Sequence, residues 1–135
     1  MNVTSSLRAG LLAATLLLGC ATPAGADAAH TIPGNHLYLT VTKGTPQSSD
    51  TRGTLLMCAP PQGHSRAAEA CAQLATARGD IAAIPAARGY CPALEAPVAV
   101  HARGVWDGRS IEYRHTFPNA CVLADRTGAV FALDT

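Results

Sequence analysis

Residues 36–43, HLYLTVTK, alternate between apolar and polar side chains. Leu37, Leu39 and Val41 fall on one face, Tyr38, Thr40 and Thr42 on the other. A period of two is that of a strand with one face buried. The polar run GTPQSSDTRG at 44–53 reads as a turn region, and TLLMCA at 54–59 as a second strand. The period then changes. In SRAAEACAQLATARG, residues 65–79, Ala67, Cys71, Leu74 and Ala75 recur at helical spacing and define one narrow apolar face. Ser65 is placed to cap the start of this helix and Gly79 to end it, and DIAAI adds a short helical turn capped by Asp80.

The last third of the chain predicts its own register. In VWDGRS, Asp107-Gly108 forms a two-residue hairpin turn, because both positions tolerate positive φ. Pairing outward sets Gly104 against Ile111, Ala102 against Tyr113, Val100 against His115 and Val98 against Phe117, all on one mostly apolar face. The opposite face pairs Arg103 with Glu112, a favourable charge match. ACVLA and AVFAL read as one or two further strands around a DRTG turn. The pattern is α+β: a five-stranded antiparallel β-sheet with one main and one short helix.

Composition narrows the class. The chain has 135 residues, 14% of them charged, and a net charge of +1, which is one small domain without the basic blocks of a nucleic-acid surface. Arg8 precedes the apolar run AGLLAATLLLG, too short to span a bilayer comfortably, and small residues at Ala24 and Ala26 follow. Residues 1–26 therefore read as a signal peptide cleaved before Asp27, residues 27–35 as a flexible leader and 36–135 as the folded domain. The expected location is extracellular. The alternative is LLLGC read as a lipobox, which would anchor the protein at the cell surface through a lipidated Cys20; without that lipid no membrane association is expected. Cleavage before Asp27 leaves Cys58, Cys71, Cys91 and Cys121, an even set that in an exported chain reads as two disulfides, with three connectivities open.

Chemistry of its own is not written in the chain. There is no Gly-x-Ser-x-Gly elbow, no His-Glu-x-x-His, no phosphate-cradling glycine loop and no close Cys or His pair for zinc. His30, His36, His64, His101 and His115 are scattered and read as surface or half-buried residues. No enzyme, metal or cofactor is expected.

RGYCPALEAP, residues 88–97, is neither helix nor good strand, because Pro92 and Pro97 interrupt it. Pro92 fixes φ directly before Ala93 and pushes Cys91 toward an extended geometry, and Pro97 holds the far side. One reading is a plain connection between helix and strand. The other is a short extended segment with Ala93-Leu94 exposed at its centre, the shape a protease takes up as an added strand.

The sequence resembles the Streptomyces subtilisin inhibitor family of small secreted serine protease inhibitors. The resemblance is carried, in order, by LTVTKG, LMCAP, ACAQLA with GDIAAI, CPALEAPV, GVWDGRSIEYRHTF, NAC and VFAL. It implies the pairings Cys58–Cys71 and Cys91–Cys121, a five-stranded antiparallel sheet with two helices, and a homodimer. It also implies a serine protease partner of the subtilisin type, with Ala93–Leu94 as the scissile bond. Tyr90, Cys91 and Pro92 would then touch the enzyme on the acyl side, Glu95, Ala96 and Pro97 on the leaving side, with Asn119 supporting the loop. Where many members of the family carry Met or Lys, this chain has Ala93. Ala93 offers no cation to a trypsin-type pocket, so the expected targets are subtilisin-like and elastase-like enzymes. The alternative is a secreted or lipid-anchored binding module of the same fold without inhibition.

Overall fold

The computed structural model describes residues 31–45 and 48–133; the expected signal peptide, Cys20 and residues 27–30 of the expected leader lie outside the described residues. Strand β1 is His36–Thr45, β2 Ser48–Cys58, β3 Pro61–Gln62, β4 Val98–Trp106 and β5 Arg109–Phe117. Helix α1 is Ala67–Thr76 and α2 is Ala120–Thr127, with a 3₁₀ turn at Ile81–Ala83. The five strands form one sheet in the order β3-β2-β1-β4-β5, and every pairing is antiparallel.

The alternation in β1 is realised. Leu37, Leu39 and Val41 are buried beside Leu56, Val98, Val100 and Ala102 on the inner face, while Tyr38 is 49% exposed on the outer one. Helix α1 covers that inner face with Ala67, Ala70, Cys71 and Leu74. The expected stripe is shifted at one point: Ala75 is exposed and Ala70 is buried in its place. The first disulfide, Cys58–Cys71, fastens α1 to the end of β2.

The hairpin register is the one predicted, residue by residue, from Val98↔Phe117 to Gly104↔Ile111 and Arg103↔Glu112. Asp107 and Gly108 turn with φ of 47° and 74°, the primed geometry that follows the twist of the flanking strands. Of the inward residues on β5 only Phe117 is buried, because β5 is an edge strand; along it Tyr113 stacks on His115, and His115 meets the Phe117 ring at a tilt of 54°. Glu112 lies opposite Arg103, yet its carboxylate accepts from His101 Nε2 at 2.7 Å and Arg114 Nε at 2.9 Å. The Arg103 guanidinium sits over the Tyr38 ring at 5.9 Å.

Four local expectations are corrected. The polar region 44–53 is mostly ladder rather than turn: β1 runs to Thr45 and β2 begins at Ser48, with Thr42 and Thr51 sharing a cross-strand hydrogen bond of 3.0 Å. Such polar pairs sustain a ladder after the apolar signal fades. Ser65 does not cap α1. The backbone N–H of Arg66 donates to His64 Nδ1 at 2.8 Å, and the Ser65 hydroxyl turns toward the Ala132 carbonyl. The ACVLA segment is helix α2, not strand: the Asn119 carboxamide oxygen accepts from Val122 N–H at 2.9 Å, and Gly128 ends the helix at φ 57°. AVFAL forms no strand either; it continues as turns that bury Ala129, Val130 and Phe131 in the core. The fifth strand is instead Pro61–Gln62 on the β2 edge.

Helix α1 ends before the expected Gly79: Ala77 is its C-cap, Arg78 takes the left-handed turn at φ 55°, and Gly79 N–H closes back onto the Leu74 carbonyl at 2.8 Å. Gly79 has φ of 80°, and a Cβ there would stand 2.5 Å from the Trp106 ring. Trp106, 3% exposed, is a core residue seated against that glycine. Asp80 caps the 3₁₀ turn by accepting from Ala82 N–H at 3.0 Å. Among the described residues no helix is long and apolar enough to cross a membrane.

Candidate functional site

Residues 85–97 belong to no helix or strand, and residues 92–97 are exposed throughout. Backbone in such a segment must find its partners elsewhere or in water. Here it finds them on one opposing stretch, residues 118–125, which runs antiparallel to the loop. The Asp125 carbonyl accepts from Ala87 N–H at 2.9 Å, and the Asp125 carboxylate from Gly89 N–H at 2.8 Å. Cys121 bridges to Cys91, with the two Cα atoms 5.7 Å apart. Asn119 Nδ2 donates to the Leu94 carbonyl at 2.9 Å and toward the Pro92 carbonyl at 3.3 Å. Finally the Pro118 carbonyl accepts from Ala96 N–H at 2.9 Å.

Asn119 is the hub of this arrangement. It is 4% exposed, and both ends of its carboxamide are used: the oxygen caps α2 while the nitrogen reaches the loop. A buried amide with acceptor and donors both engaged is fixed in one orientation. The cap therefore aims the donor. Between the two carbonyls held by Asn119 lies Ala93, where Leu94 N–H donates to the Pro92 carbonyl at 2.9 Å and closes a three-residue turn. Beneath the arch, an apolar cavity of about 440 Å³ is lined by Pro92, Leu94, Pro97 and Ala120.

The side chains that face outward are those an approaching molecule meets first. Tyr90 is 92% exposed and Leu94 58% exposed. Glu95, Ala96 and Pro97 follow on the exposed descending arm, while Cys91 is half-buried by its bridge. Tyr90, Cys91, Pro92, Ala93, Leu94, Glu95, Ala96 and Pro97 are thus contiguous, and Asn119 and Cys121 are the residues distant in sequence that the resemblance joined to them. Pro118 and Asp125 were missed. The signal for Asp125 was present: once PNACVLADRTG is read as an Asn-capped helix ending at glycine, Cys121 and Asp125 stand one turn apart on the same face.

A family model for subtilisin inhibitor-like domains matches residues 33–119. The chain belongs to that family. The match takes in every strand and the whole loop, and stops at Asn119, two residues before the second half of the loop's disulfide. A Streptomyces avermitilis protein with the name of a serine protease inhibitor is 52% identical over 98% of this chain and 89% of its own. A subtilase-type protease inhibitor from Streptomyces coelicolor is 38% identical, covering 97% of this chain and 92% of itself. Among solved structures, sermetstatin from Streptomyces caespitosus, in complex with Bacillus licheniformis subtilisin, superposes with a TM-score of 0.53. It is 31% identical and the match covers 73% of this chain and 99% of that one. Members of the subtilisin inhibitor-like family act as inhibitors, not enzymes, and both disulfides implied by the resemblance are present in this member.

Proposed function

We propose that this protein is an exported inhibitor of serine endopeptidases, subtilisin-like and elastase-like, that offers the Ala93–Leu94 bond as a substrate it does not release. The carrying observation is that Asn119 holds a carbonyl on each side of that bond, with Cys91 bridged upstream and Ala96 tied downstream. The enzyme's serine oxygen attacks the Ala93 carbonyl carbon, the C–N bond breaks, and the proton passes through the enzyme's histidine to the Leu94 amine. In an ordinary substrate that amine diffuses away. Here the fragments stay fastened on both sides, so the amine remains in place to re-form the peptide bond. The effective concentration of a tethered group makes religation compete with hydrolysis.

Specificity follows from what each loop residue presents. Ala93 suits a small or apolar pocket and gives a trypsin-type pocket nothing to pair with. Relative to a Met-sized side chain it forfeits about 1–2 kcal/mol of apolar burial. Tyr90, which no part of the fold covers, is available to recover part of this in an apolar pocket further along the enzyme's cleft. Because the loop is already ordered, little conformational entropy is lost on binding.

Export through residues 1–26 and a homodimer belong to the same proposal. Mass spectrometry of the exported form separates cleavage before Asp27 from a lipidated Cys20, and sedimentation equilibrium tests the dimer. The decisive experiment is titration of subtilisin with purified protein. A sharp stoichiometric endpoint, with slowly nicked product starting at Leu94, supports the proposal; rapid digestion refutes it. Rapid digestion would instead favour a same-fold binding module without inhibition, a reading supported by the turn at Ala93, which an extended substrate lacks.

A further inference from the structure

The upstream arm of the loop is fastened twice to one face of α2. Cys121 and Asp125 stand one helical turn apart, and between them they hold Cys91, Gly89 and Ala87. The Asp125 backbone carbonyl belongs to the last turn of α2, where carbonyls lack partners within the helix, and it takes up Ala87 N–H. Its carboxylate takes up Gly89 N–H at 2.8 Å, whereas Arg126 Nε stands 3.9 Å from the other oxygen. The carboxylate's close engagement is therefore with the loop rather than with its charged neighbour.

Two local rules are broken at this place. A carboxylate in the last turn of a helix opposes the helix dipole, which favours cations there. Arg88, between the two tethered residues, has φ of 59°, a conformation that side-chain-bearing residues rarely adopt. Each irregularity is explained by the other. The turn at Arg88 brings Gly89 N–H onto Asp125, and the carboxylate holds the turn. The consequence appears one residue on. Tyr90, pinned between the Gly89 bond and the Cys91 bridge, points its ring into solvent, 92% exposed, where it does nothing for the fold.

We infer that Asp125 is a positioning residue for inhibition: by holding Ala87 and Gly89 against α2 it fixes the direction in which Tyr90 is presented to the protease. The inference rests on the proposed inhibitory function. It adds that affinity upstream of Ala93 depends on a carboxylate the enzyme never touches.

The test is a double-mutant cycle with the inhibition constant for subtilisin as readout. Asp125→Ala is expected to weaken inhibition about tenfold, equivalent to about 1.4 kcal/mol. Asp125→Asn, which keeps an acceptor oxygen for Gly89 N–H, restores inhibition to within about threefold of the parent, a neutral acceptor being the weaker one. In a Tyr90→Ala background, Asp125→Ala changes inhibition less than about twofold, because no ring is left to position. Hydrogen exchange in the free protein supplies a reading independent of any protease: the Gly89 amide exchanges faster in Asp125→Ala than in the parent. An equal loss with and without Tyr90, or an unaltered inhibition constant alongside an active parent, overturns the inference while leaving the inhibitor reading intact. A parent that fails to inhibit at all overturns both.

Discussion

Replacing Asn119 separates its two jobs. Asn119→Ala removes the helix cap, about 1 kcal/mol, and two bonds to loop carbonyls, about 1 kcal/mol each at most. Pro92 and Leu94 are exposed, so water takes over their carbonyls once the loop lifts. Global stability should therefore fall by about 1–2 kcal/mol rather than by the full sum. Inhibition suffers more. A loop freed between Cys91 and Ala96 must be ordered again by the protease, and at about 1–2 kcal/mol per residue, freeing two residues weakens inhibition by about 30- to 1,000-fold.

Asn119→Asp makes the argument selective. A carboxylate oxygen still accepts from Val122 N–H, and an acid at a helix start is favoured by the dipole. It has no donor, however, for carbonyls at 2.9 and 3.3 Å, and faces them oxygen to oxygen. The expected outcome at neutral pH is a fall in urea-unfolding stability despite the retained cap, because a carboxylate replaces a donor at a site 4% exposed, together with loss of inhibition at least as large as in the alanine variant. Cleavage at Ala93–Leu94, followed by chromatography of the enzyme–inhibitor mixture, should quicken in both. An aspartate variant that inhibits as tightly as the parent would refute the reasoning, since the donor nitrogen would then contribute nothing.

Three further outcomes are expected. Ala93→Lys should gain trypsin inhibition without a change in melting temperature, because the side chain at 93 is exposed; an unaltered trypsin titration would contradict the assignment of that residue. Replacing Cys91 and Cys121 together by serine should cost about 3.5 kcal/mol for a bridge spanning 30 residues and turn the inhibitor into a substrate. The 13-residue Cys58–Cys71 bridge, worth about 3 kcal/mol, should affect stability more than cleavage at Leu94. His64 accepts from Arg66 N–H on Nδ1 and donates to the Val130 carbonyl from Nε2, so the fold holds the neutral ring. Burial lowers its pKa, with the Arg66 charge acting the same way against the Val130 carbonyl. The unfolded chain therefore binds the proton more readily: this stability is present above about pH 6.5 and is lost as pH falls through the lowered folded value. Denaturation at pH 8 and pH 5 should show it, and His64→Gln should flatten that difference.

What was legible in the sequence is what a short period writes down. The alternation in β1, the Asp107-Gly108 turn with its register, and the apolar stripe of α1 each depend on residues within about twenty of one another. The C-terminal segment was misread because ACVLA has too few positions to distinguish a strand from a buried helical turn by hydrophobicity. The deciding signals were polar ones at the ends, Asn119 and Gly128. The same misreading hid Asp125, since it placed that residue in a DRTG turn rather than on a helix one turn beyond Cys121. Ser65 was misplaced as the α1 cap because the start of the helix is organised by His64, whose ring takes the Arg66 N–H and reaches Val130, a contact across 66 positions that no local pattern carries.

The loop's rigidity and the helix behind it are one problem with one solution. A segment without secondary structure ordinarily loses about 1–2 kcal/mol of backbone entropy per residue when a partner immobilises it. A strand partner would satisfy the loop's amides, but it would also occupy the edge a protease needs for its own pairing. A helix presents instead a side-chain donor, a carboxylate, a sulfur and its unsatisfied terminal carbonyls, each reaching the loop from behind. In this protein Asn119, Cys121 and Asp125 supply those contacts, with the Pro118 carbonyl just ahead of the helix. Residues 118–125 as a strand would compete with the enzyme for the loop; as a helix they leave its outer edge open. That is the physical reason the segment misread from its hydrophobic pattern is the one on which the proposed function depends.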